Sequence, residues 1–246
     1  MRVGIVSDIH GNVVALEAVL ADLAGERVDR VVCLGDVAAM GPQPGEAVAR
    51  VRGLGWPTVK GNTDGWLADV AGGTGGAGAE EDARRIAEIV AWGAERLSGE
   101  DRAWLGALPA TVEVALGAGV GLLCYHGSPR SNTDRILPTT PDDELERLLD
   151  GHGAAVCVGG HTHLAMLRRH RGRLVVNPGS VSLPVQRFPT VPPSRTPPWA
   201  EYALIGWEGG RLSVELRAVP LDLGAVERAA RGSGMPHAEW WIEGWR

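Results

Sequence analysis

Cysteine is scarce in this chain, with only three among 246 residues. Cys33, Cys124 and Cys157 each stand inside an apolar run, in VVCLGD, LLCYHG and AVCVGG. Such contexts are typical of buried strands, and the spacing matches neither a disulfide framework nor a paired-cysteine zinc site. We therefore expect free buried thiols and a reducing, cytoplasmic compartment. The first predicted strand begins at residue 2, which leaves no room for a signal peptide and leads to the same expectation.

Long apolar runs and an excess of positive charge are also lacking. No apolar stretch approaches the roughly 18 residues that a membrane-spanning helix needs, so no membrane association is expected. The formal net charge is −6 at pH 7, and Lys60 is the only lysine among 24 Lys and Arg residues. This balance gives no general electrostatic attraction to nucleic acid. An anionic substrate therefore needs local positive charge, from bound cations or from a few arginines.

Strands and helices alternate along the first 60 residues. RVGIVSD and DRVVCLGD have the apolar character of buried strands, each is followed by a helical pattern, and WPTVKGN is predicted as a third strand. This alternation favours a parallel sheet covered on both faces. Later strands are predicted at TVEVAL, GVGLLCYHG and AAVCVGG, with hairpins at LAMLRRHRGRLVVN and EYALIGWEGGRLSVELRAV.

We expect one domain over residues 1–246, with two irregular segments inside it. A Gly-rich connection spans residues 71–79. Residues 184–198 hold six of the 16 prolines, which excludes a regular helix or central strand and predicts a loop or lid. The C-terminal WWIEGW is predicted to pack back on the core, although an interface patch is the alternative.

Side chains able to bind a metal follow five of the predicted strands. In a parallel sheet the carboxyl ends of the strands line one crevice, so these side chains can converge there. Taken singly, each has an ordinary explanation, such as a helix cap for Asp8 or a turn for Asp36. If no metal were bound, a separate structural explanation of this kind would be needed at each of the five strand ends, nearly all of which have a glycine beside the ligand-type residue. The set is Asp8, His10, Asp36, Asn62, His126, His161 and His163.

The chemistry of this set indicates a two-metal site. Two carboxylates, one amide and four imidazoles offer nitrogen and oxygen but no thiolate, which suits Mn²⁺, Fe, Zn²⁺, Co²⁺ or Ni²⁺ and disfavours Ca²⁺ and Cu(I). Seven ligands are too many for one tetrahedral zinc. Two ions sharing one carboxylate would receive about four ligands each. We expect two divalent ions, with Mn²⁺ the first candidate.

The ordered motifs D-x-H, G-D, G-N, H and G-H-x-H resemble the calcineurin-like metallophosphoesterase superfamily. They run from Asp8 to His163, and NPGSV (177–181) further resembles its small bacterial and archaeal phosphodiesterase branch. The resemblance implies an α/β fold, a four-layer α-β-β-α sandwich of two mixed sheets flanked by helices. It also implies one metal on Asp8, His10 and His163, a second on Asn62, His126 and His161, and Asp36 as the bridge.

The resemblance implies hydrolysis of a phosphate ester by in-line attack of a metal-bridging hydroxide. Asp36, Asn62 and His126 would be the catalytic residues, the last two contacting the attacked phosphate. Many relatives read G-N-H-[DE] where this chain reads GNTD, and a threonine such as Thr63 is a poor general acid near pH 7. The general acid is therefore not identified. Asp64 is predicted to support the ligands from behind, with a turn residue as the alternative.

We expect a phosphodiesterase acting on a small phosphorylated or nucleotide-like substrate. A phosphomonoesterase or nucleotide phosphatase is the enzymatic alternative, and a non-catalytic metal-binding scaffold is the alternative of another class. Arg130 and Arg187, with Arg195 in the same Pro-rich segment, are candidates to bind substrate phosphate, and solvated surface arginines are the competing interpretation. A homo-oligomer is compatible with the sequence.

Overall fold

The computed structural model describes residues 1–69, 80–117, 119–149, 151–186 and 195–245. The predicted Gly-rich connection 71–79 lies outside the described residues, and so does most of the Pro-rich segment 184–198. Its described parts, residues 184–186 and 195–198, contain neither helix nor strand.

Strands and helices alternate through the described residues. The strands are β1 (Arg2–Val6), β2 (Arg30–Cys33), β3 (Thr111–Gly117), β4 (Val120–Tyr125), β5 (Val156–Val158), β6 (Met166–His170), β7 (Arg173–Asn177), β8 (Trp199–Glu208) and β9 (Arg211–Pro220). The helices are α1 (Val13–Ala24), α2 (Pro44–Leu54), α3 (Asn62–Ala68), α4 (Glu80–Glu95), α5 (Gly99–Ala107), α6 (Asp142–Leu149), α7 (Leu223–Ser233) and α8 (Ala238–Glu243).

The strands form two mixed sheets. The first has the order β2-β1-β8-β9, in which β1 and β2 are parallel and β8 and β9 are antiparallel to their neighbours. The second has the order β3-β4-β5-β7-β6, with a parallel centre of β4, β5 and β7 and antiparallel edges. The predicted α/β fold with two mixed sheets and flanking helices is confirmed.

Alternating burial along the strands separates the layers. On β1, Val3 and Ile5 point into a core shared by both sheets, where they join residues of β4 such as Leu122. Val6 points to the opposite face, into the core beneath α1 and α2. On the far face of the second sheet, Leu145 of α6 packs in a further cluster with β4. Each buried aliphatic side chain contributes about 1.5–3 kcal/mol by leaving water, so both faces of both sheets stabilise the sandwich.

The predicted third strand, residues 56–62, is wrong as a strand. Only Thr58 makes a ladder contact, an isolated parallel bridge to Cys33. Pro57 has no N–H to donate to β2, Val59 N donates to Cys33 O within this bridge, and the next donor on that side, Gly61 N, bonds to Asp64 Oδ2 instead of the sheet. The segment still runs beside β2 and delivers Asn62 to the same edge as the other ligands.

The tail and the cysteines follow the sequence-based expectation. Trp241 and Trp245 are buried, with Trp92 of α4 in the same cluster. The three cysteines are free and buried, and burial raises the pKa of the Cys157 thiol to about 11. None of the helices in the described ranges has the length and apolar character that crossing a membrane requires.

Candidate metal centre

The seven predicted ligands gather where the carboxyl ends of four parallel strands meet. Asp8 and His10 follow β1, Asp36 follows β2, His126 directly follows β4, and the GHTH pair follows β5, while Asn62 is the first residue of α3. The first four of these and Asn62 are buried, and His161 and His163 are half-buried. The centre therefore opens to solvent on the side of the two GHTH histidines.

The backbone at five of these ligands is held in the left-handed region. The φ angles are 57° at Asp8, 46° at His10, 54° at Asp36, 65° at His161 and 55° at His163. Residues with a Cβ adopt this conformation at a cost of about 1–3 kcal/mol each, and such residues concentrate at functional sites. The surrounding fold must therefore hold each ligand loop in place.

Asp64 holds two of the loops together. Its carboxylate accepts backbone hydrogen bonds from Asp36 N at 2.9 Å, Val37 N at 2.9 Å and Gly61 N at 2.8 Å. Burial, and then the charge of Asp36, raise the pKa of Asp64 to about 6. These contacts fix the loop after β2 against the start of α3, which is the supporting position predicted for Asp64.

Two glycines allow the loops to approach the carboxylates closely. A Cβ on Gly61 would lie 2.0 Å from Asp36 Oδ1, and one on Gly160 would lie 2.7 Å from Asp8 Oδ2. Neither distance is tolerable for carbon against oxygen. The G-N and G-H-x-H motifs therefore need glycine for contact with the ligand carboxylates.

The NPGSV segment supports the centre from behind, in a role that the sequence alone did not reveal. The Ser180 hydroxyl donates to Asp8 O at 2.9 Å and accepts from Leu183 N at 2.8 Å. Asn177 Nδ2 donates to Gly160 O at 2.7 Å, at the start of GHTH. The motif was visible in the sequence, but its target is set by the approach of β7 to β1 and β5.

Three histidines are oriented by backbone carbonyls. The Nδ1 atoms of His10, His126 and His163 lie 3.0 Å from Ala39 O, 2.7 Å from Leu34 O and 2.9 Å from Leu183 O. Because a carbonyl only accepts, Nδ1 must carry the hydrogen, and Nε2 of the neutral ring keeps a lone pair aimed into the centre.

The Nε2 atoms of His10 and His163 are only 3.1 Å apart. With both Nδ1 atoms committed to carbonyls, two lone pairs face each other in the neutral tautomers. This arrangement is unfavourable unless a proton or a cation lies between them. Two imidazoles fixed in this way are typical of ligands to one metal ion.

A buried carboxylate oxygen at the middle of the site has no hydrogen-bond partner. Asp8 Oδ1 lies 3.2 Å from His163 Nε2, 3.8 Å from His10 Nε2 and 4.0 Å from His126 Nε2, yet it accepts no hydrogen bond. Its companion Oδ2 is bonded by Ser7 Oγ and His161 N. A charged oxygen left unpaired in the interior is costly, so this atom marks a place for positive charge.

Asp36 stands between the two halves of the centre. Its Oδ1 accepts from Thr63 N at 2.9 Å, while its Oδ2 lies 3.4 Å from His126 Nε2 and 3.8 Å from His10 Nε2. His126 Nε2 in turn lies 3.0 Å from Asn62 Oδ1. The free oxygen of Asp36 therefore faces histidines of both groups.

Burial and neighbouring charges set the ionisation of the centre. Burial would raise the pKa of Asp8, but His163 outweighs it and lowers that pKa to about 2. In the same way His126 holds the pKa of Asp36 well below its usual range against the effect of burial. Burial lowers the pKa of His161 to about 4. Burial opposes protonation of His126, but the charge of Asp36 raises the pKa of His126 to about 10. At neutral pH the metal-free site thus pairs two carboxylates with protonated histidine, and a bound cation would take the place of those protons.

These residues fit a pair of divalent metal ions. Two sets of ligand atoms lie close enough to share an ion: that of Asp8, His10 and His163, and that of Asp8, Asp36 and His126. The rings of His126 and His161 are 5.2 Å apart, so His161 borders the second set. Metal ions would provide the missing partners of Asp8 Oδ1 and of the opposed Nε2 atoms of His10 and His163.

The predicted substrate arginines lie apart from this cluster or outside the described residues. The Arg130 guanidinium donates to Arg147 O at the end of α6, and Arg195 is exposed. Arg187 lies outside the described residues. Thr63 is buried, and its Oγ1 has no partner among the described residues.

Known proteins resemble this chain in sequence and in fold. A family model described as the calcineurin-like phosphoesterase superfamily domain matches residues 1–192. An uncharacterised protein of Methanocaldococcus jannaschii is 27% identical over 183 residues, covering 74% of this chain and 70% of that protein. A metallophosphoesterase from Sphaerobacter thermophilus has a crystal structure with a TM-score of 0.72 at 27% identity, covering 98% of this chain and 97% of that one. A hypothetical protein from Pyrococcus horikoshii gives a TM-score of 0.77 at 22% identity, with coverages of 98% and 96%. This chain belongs to the calcineurin-like phosphoesterase superfamily.

Proposed function

We propose that this protein is a phosphoesterase that uses two divalent metal ions, Mn²⁺ first among them, to hydrolyse a phosphodiester. The observation that carries the proposal is the orphaned, fully buried Asp8 Oδ1 surrounded by the Nε2 atoms of three histidines. A purely structural role does not require three imidazole nitrogens and a carboxylate to face one another, whereas a metal site requires such a convergence of ligand atoms.

The proposed division of ligands follows the geometry of the side chains. Asp8, His10 and His163 would hold one ion, and Asn62, His126 and His161 the other. Asp36 would join the two, because its Oδ2 faces both His126 and His10. Bound in this way, two divalent ions would lower the pKa of coordinated water toward 7 and offset charge on phosphoryl oxygens.

The side chains of the site would position the substrate phosphate relative to the two ions. Asn62 and His126, in contact at 3.0 Å, would set the side of the centre on which the phosphate lies. The Nδ1 bonds to carbonyls prevent the histidine rings from turning, which keeps the site preorganised. Asp8 and Asp36, both ionised at neutral pH, would repel an anionic substrate unless the ions are present.

The preference for a diester rests on two features. NPGSV resembles the phosphodiesterase branch, and Thr63 follows Asn62 where many phosphatases of the family have histidine. A threonine hydroxyl is too weak an acid to protonate an alkoxide near neutral pH. We therefore propose substrates whose leaving group departs without help from an acid at this position.

The test compares two chromogenic esters with the same leaving group. The protein is stripped of metal, Mn²⁺ is restored, and turnover of bis(p-nitrophenyl) phosphate is measured beside p-nitrophenyl phosphate. Asp36→Asn gives the background, and Asp143→Asn, an exposed change on α6, controls for loss of a carboxylate alone. We expect diester turnover that requires Mn²⁺ and is absent in Asp36→Asn.

Other outcomes would revise the proposal in defined ways. Turnover of the monoester alone would establish a phosphomonoesterase and require an acid other than Thr63. Metal binding without turnover of either ester would favour the non-catalytic scaffold. If neither metal bound tightly, the reading of Asp8 Oδ1 as a ligand would be wrong.

A further inference from the structure

The first sheet ends in an unpaired edge strand, β9, that differs from the other three sheet edges of the described chain. β2 has four residues and is partly covered by the bridge from Thr58. β6 carries the adjacent charges Arg168 and Arg169, and β3 has an irregular register near Gly117. β9 has ten residues and pairs with β8 without a register shift. Long regular edges of this kind are templates for another strand.

The hydrogen bonds of β8 show which groups of β9 face outward. Trp207 exchanges bonds with Met1 on the β1 side, through Trp207 N to Met1 O at 2.8 Å and Met1 N to Trp207 O at 2.9 Å. The residues of β8 that bond to β9 are therefore the even-numbered ones, and their partners in β9 are odd-numbered. The outward N–H and C=O groups belong to Leu212, Val214, Leu216 and Ala218.

The side chains of β9 divide between its two faces. Leu212 and Val214 pack into the core between the sheets, whereas Leu216 on the same face is 41% exposed. Glu215 and Arg217 lie on the other face and form an ion pair at 2.6 Å. The edge thus presents one exposed leucine flanked by one negative and one positive residue.

We propose that β9 is the interface of a homodimer, in which it pairs antiparallel with β9 of a second copy across a two-fold axis at Leu216. Antiparallel pairing about this residue sets Leu216 opposite the partner's Leu216 and Glu215 opposite the partner's Arg217. The two-fold axis repeats the second contact. Oppositely charged residues directly across an antiparallel pair stabilise it.

Neighbouring registers are disfavoured by charge. An axis at Glu215 sets two glutamates opposite each other, and an axis at Arg217 sets two arginines opposite each other. An axis at Val214 places Arg211 opposite the partner's Arg217. Pro220 lacks the N–H that would extend the outward row, so pairing ends there. The charges of β9 are thus complementary to those of β9 in a second copy of this chain, and only in the register centred on Leu216.

The test uses two charge reversals that complement each other only in this register. Glu215→Arg places two arginines beside Leu216, and Arg217→Glu places two glutamates there. Each variant alone would oppose like charges twice, so its dimer dissociation constant should rise about tenfold or more. Mixed together, the two should form a heterodimer, because each arginine then meets a glutamate of the other copy.

Sedimentation velocity of each variant alone, of the mixture and of the wild type measures these states, and circular dichroism checks folding. Arg211→Glu is the matched control: it reverses a charge on β9 outside the paired centre and should change the wild-type dissociation constant by less than about twofold. A wild type that stays monomeric at all concentrations, or a mixture no more dimeric than its components, would overturn the proposal.

A cysteine at the axis tests the register without reversing any charge. The three natural cysteines are buried, so Leu216→Cys offers one exposed thiol, which should form a disulfide with its own copy under mild aerobic oxidation. Ser213→Cys, exposed on the same strand, should not, because residue 213 lies far from its equivalent in this register. Equal cross-linking of both variants, or of neither, would contradict an axis at Leu216.

Discussion

At the scale of single residues, the centre depends on atoms behind the ligands. Ser180 Oγ bonds Asp8 O and Leu183 N, and Leu183 O receives Nδ1 of His163. One hydroxyl thus supports two ligands that follow different strands, and both ligands have a left-handed backbone. Groups that orient ligands in this way commonly change metal affinity by about 10–100-fold when they are removed.

We expect Ser180→Ala to weaken metal binding by about tenfold and to lower the free energy of unfolding by about 1–3 kcal/mol, because a buried donor loses its acceptor. Titration calorimetry with Mn²⁺ and urea unfolding of the metal-free protein measure the two effects. Ser182→Ala is the control: it removes a longer bond, from Asn12 Nδ2 at 3.3 Å, that touches neither Asp8 nor Leu183. Equal effects of the two variants would show that Ser180 has no special role.

The ligands of the centre could be predicted from the sequence because only a few residue types bind metal ions. Few side chains bind a metal, and a strand end directs each to the same edge, so Asp8, Asp36 and His126 could be found without a structure. Ser180 could not, because serine is common and its target depends on how β7 approaches β1. Arg130 shows the converse, since its nearness in sequence to His126 did not bring its guanidinium to the ligands.

At the scale of elements, the pattern of apolar residues predicted strands correctly where an adjacent strand supplies the hydrogen-bond partners. The hairpin β8–β9 followed from two alternating runs around Gly209 and Gly210, both of which have positive φ. Residues 56–62 have the same apolar character, but Pro57 has no N–H and Gly61 N bonds to Asp64, so pairing is limited to the bridge at Thr58. Residue propensity favours an extended backbone here, whereas the hydrogen-bond partners available beside the segment decide whether it joins a sheet.

The contact between α6 and the β6–β7 hairpin includes a cluster of charged groups beside its apolar core. Both ring nitrogens of the buried His170 face carboxylates: Nδ1 lies 3.3 Å from Asp142 Oδ1, and Nε2 lies 3.0 Å from Glu146 Oε2. Only the imidazolium can donate through both nitrogens. The hydrogen bond from His170 lowers the pKa of Glu146 from its ordinary 4.5. The other charged groups at this contact are Arg168, Arg171 and Arg173.

A lowered carboxyl pKa gives stability that is present above the unfolded value, here 4.5 for Glu146, and is lost as pH falls through the folded value. We therefore expect His170→Gln to lower Tm near pH 5.5 and to do so much less near pH 3.5. The acid-induced loss of stability should be smaller in the variant than in the wild type. His152→Gln, with no carboxylate contact found in the described chain, should leave the wild-type profile unchanged. Parallel profiles for His170→Gln and wild type would contradict this interpretation.

At the scale of the whole molecule, two sheets meet at one buried cluster of carboxylates and imidazoles. The first sheet supplies Asp8, His10 and Asp36, and the second supplies His126, His161 and His163. Their packing through the shared core brings the ligands together, and the charge of Asp36 opposes the lowering of the Asp8 pKa by the histidines. Cations bound there would favour the native contact between the sheets, because the unfolded chain cannot assemble the ligands.

This dependence predicts that Asp8→Asn and the wild type differ far more in stability with metal than without it. Without metal, the variant should melt slightly below the wild type, because it loses the ion pair with His163 that lowers the pKa of Asp8, while its NH₂ can still donate to His163 Nε2. With Mn²⁺ at about 100 times the dissociation constant, the wild type should gain about 2.7 kcal/mol. For a chain of this length that corresponds to about 5–10 °C in Tm.

The variant should gain little from Mn²⁺, so the gap between the two melting temperatures should widen when metal is added. Differential scanning calorimetry of both proteins, with and without Mn²⁺, measures this gap. Ca²⁺ is the matched control ion and should stabilise the wild type less, because it prefers all-oxygen ligands to imidazole. If Asp8→Asn melted as far below the wild type without metal as with it, Asp8 Oδ1 would be a structural acceptor. If both proteins gained equally from Mn²⁺, the ions would bind away from Asp8. The joint result, a variant that loses little stability without metal and much more with it, is the thermodynamic signature of a carboxylate that binds cations.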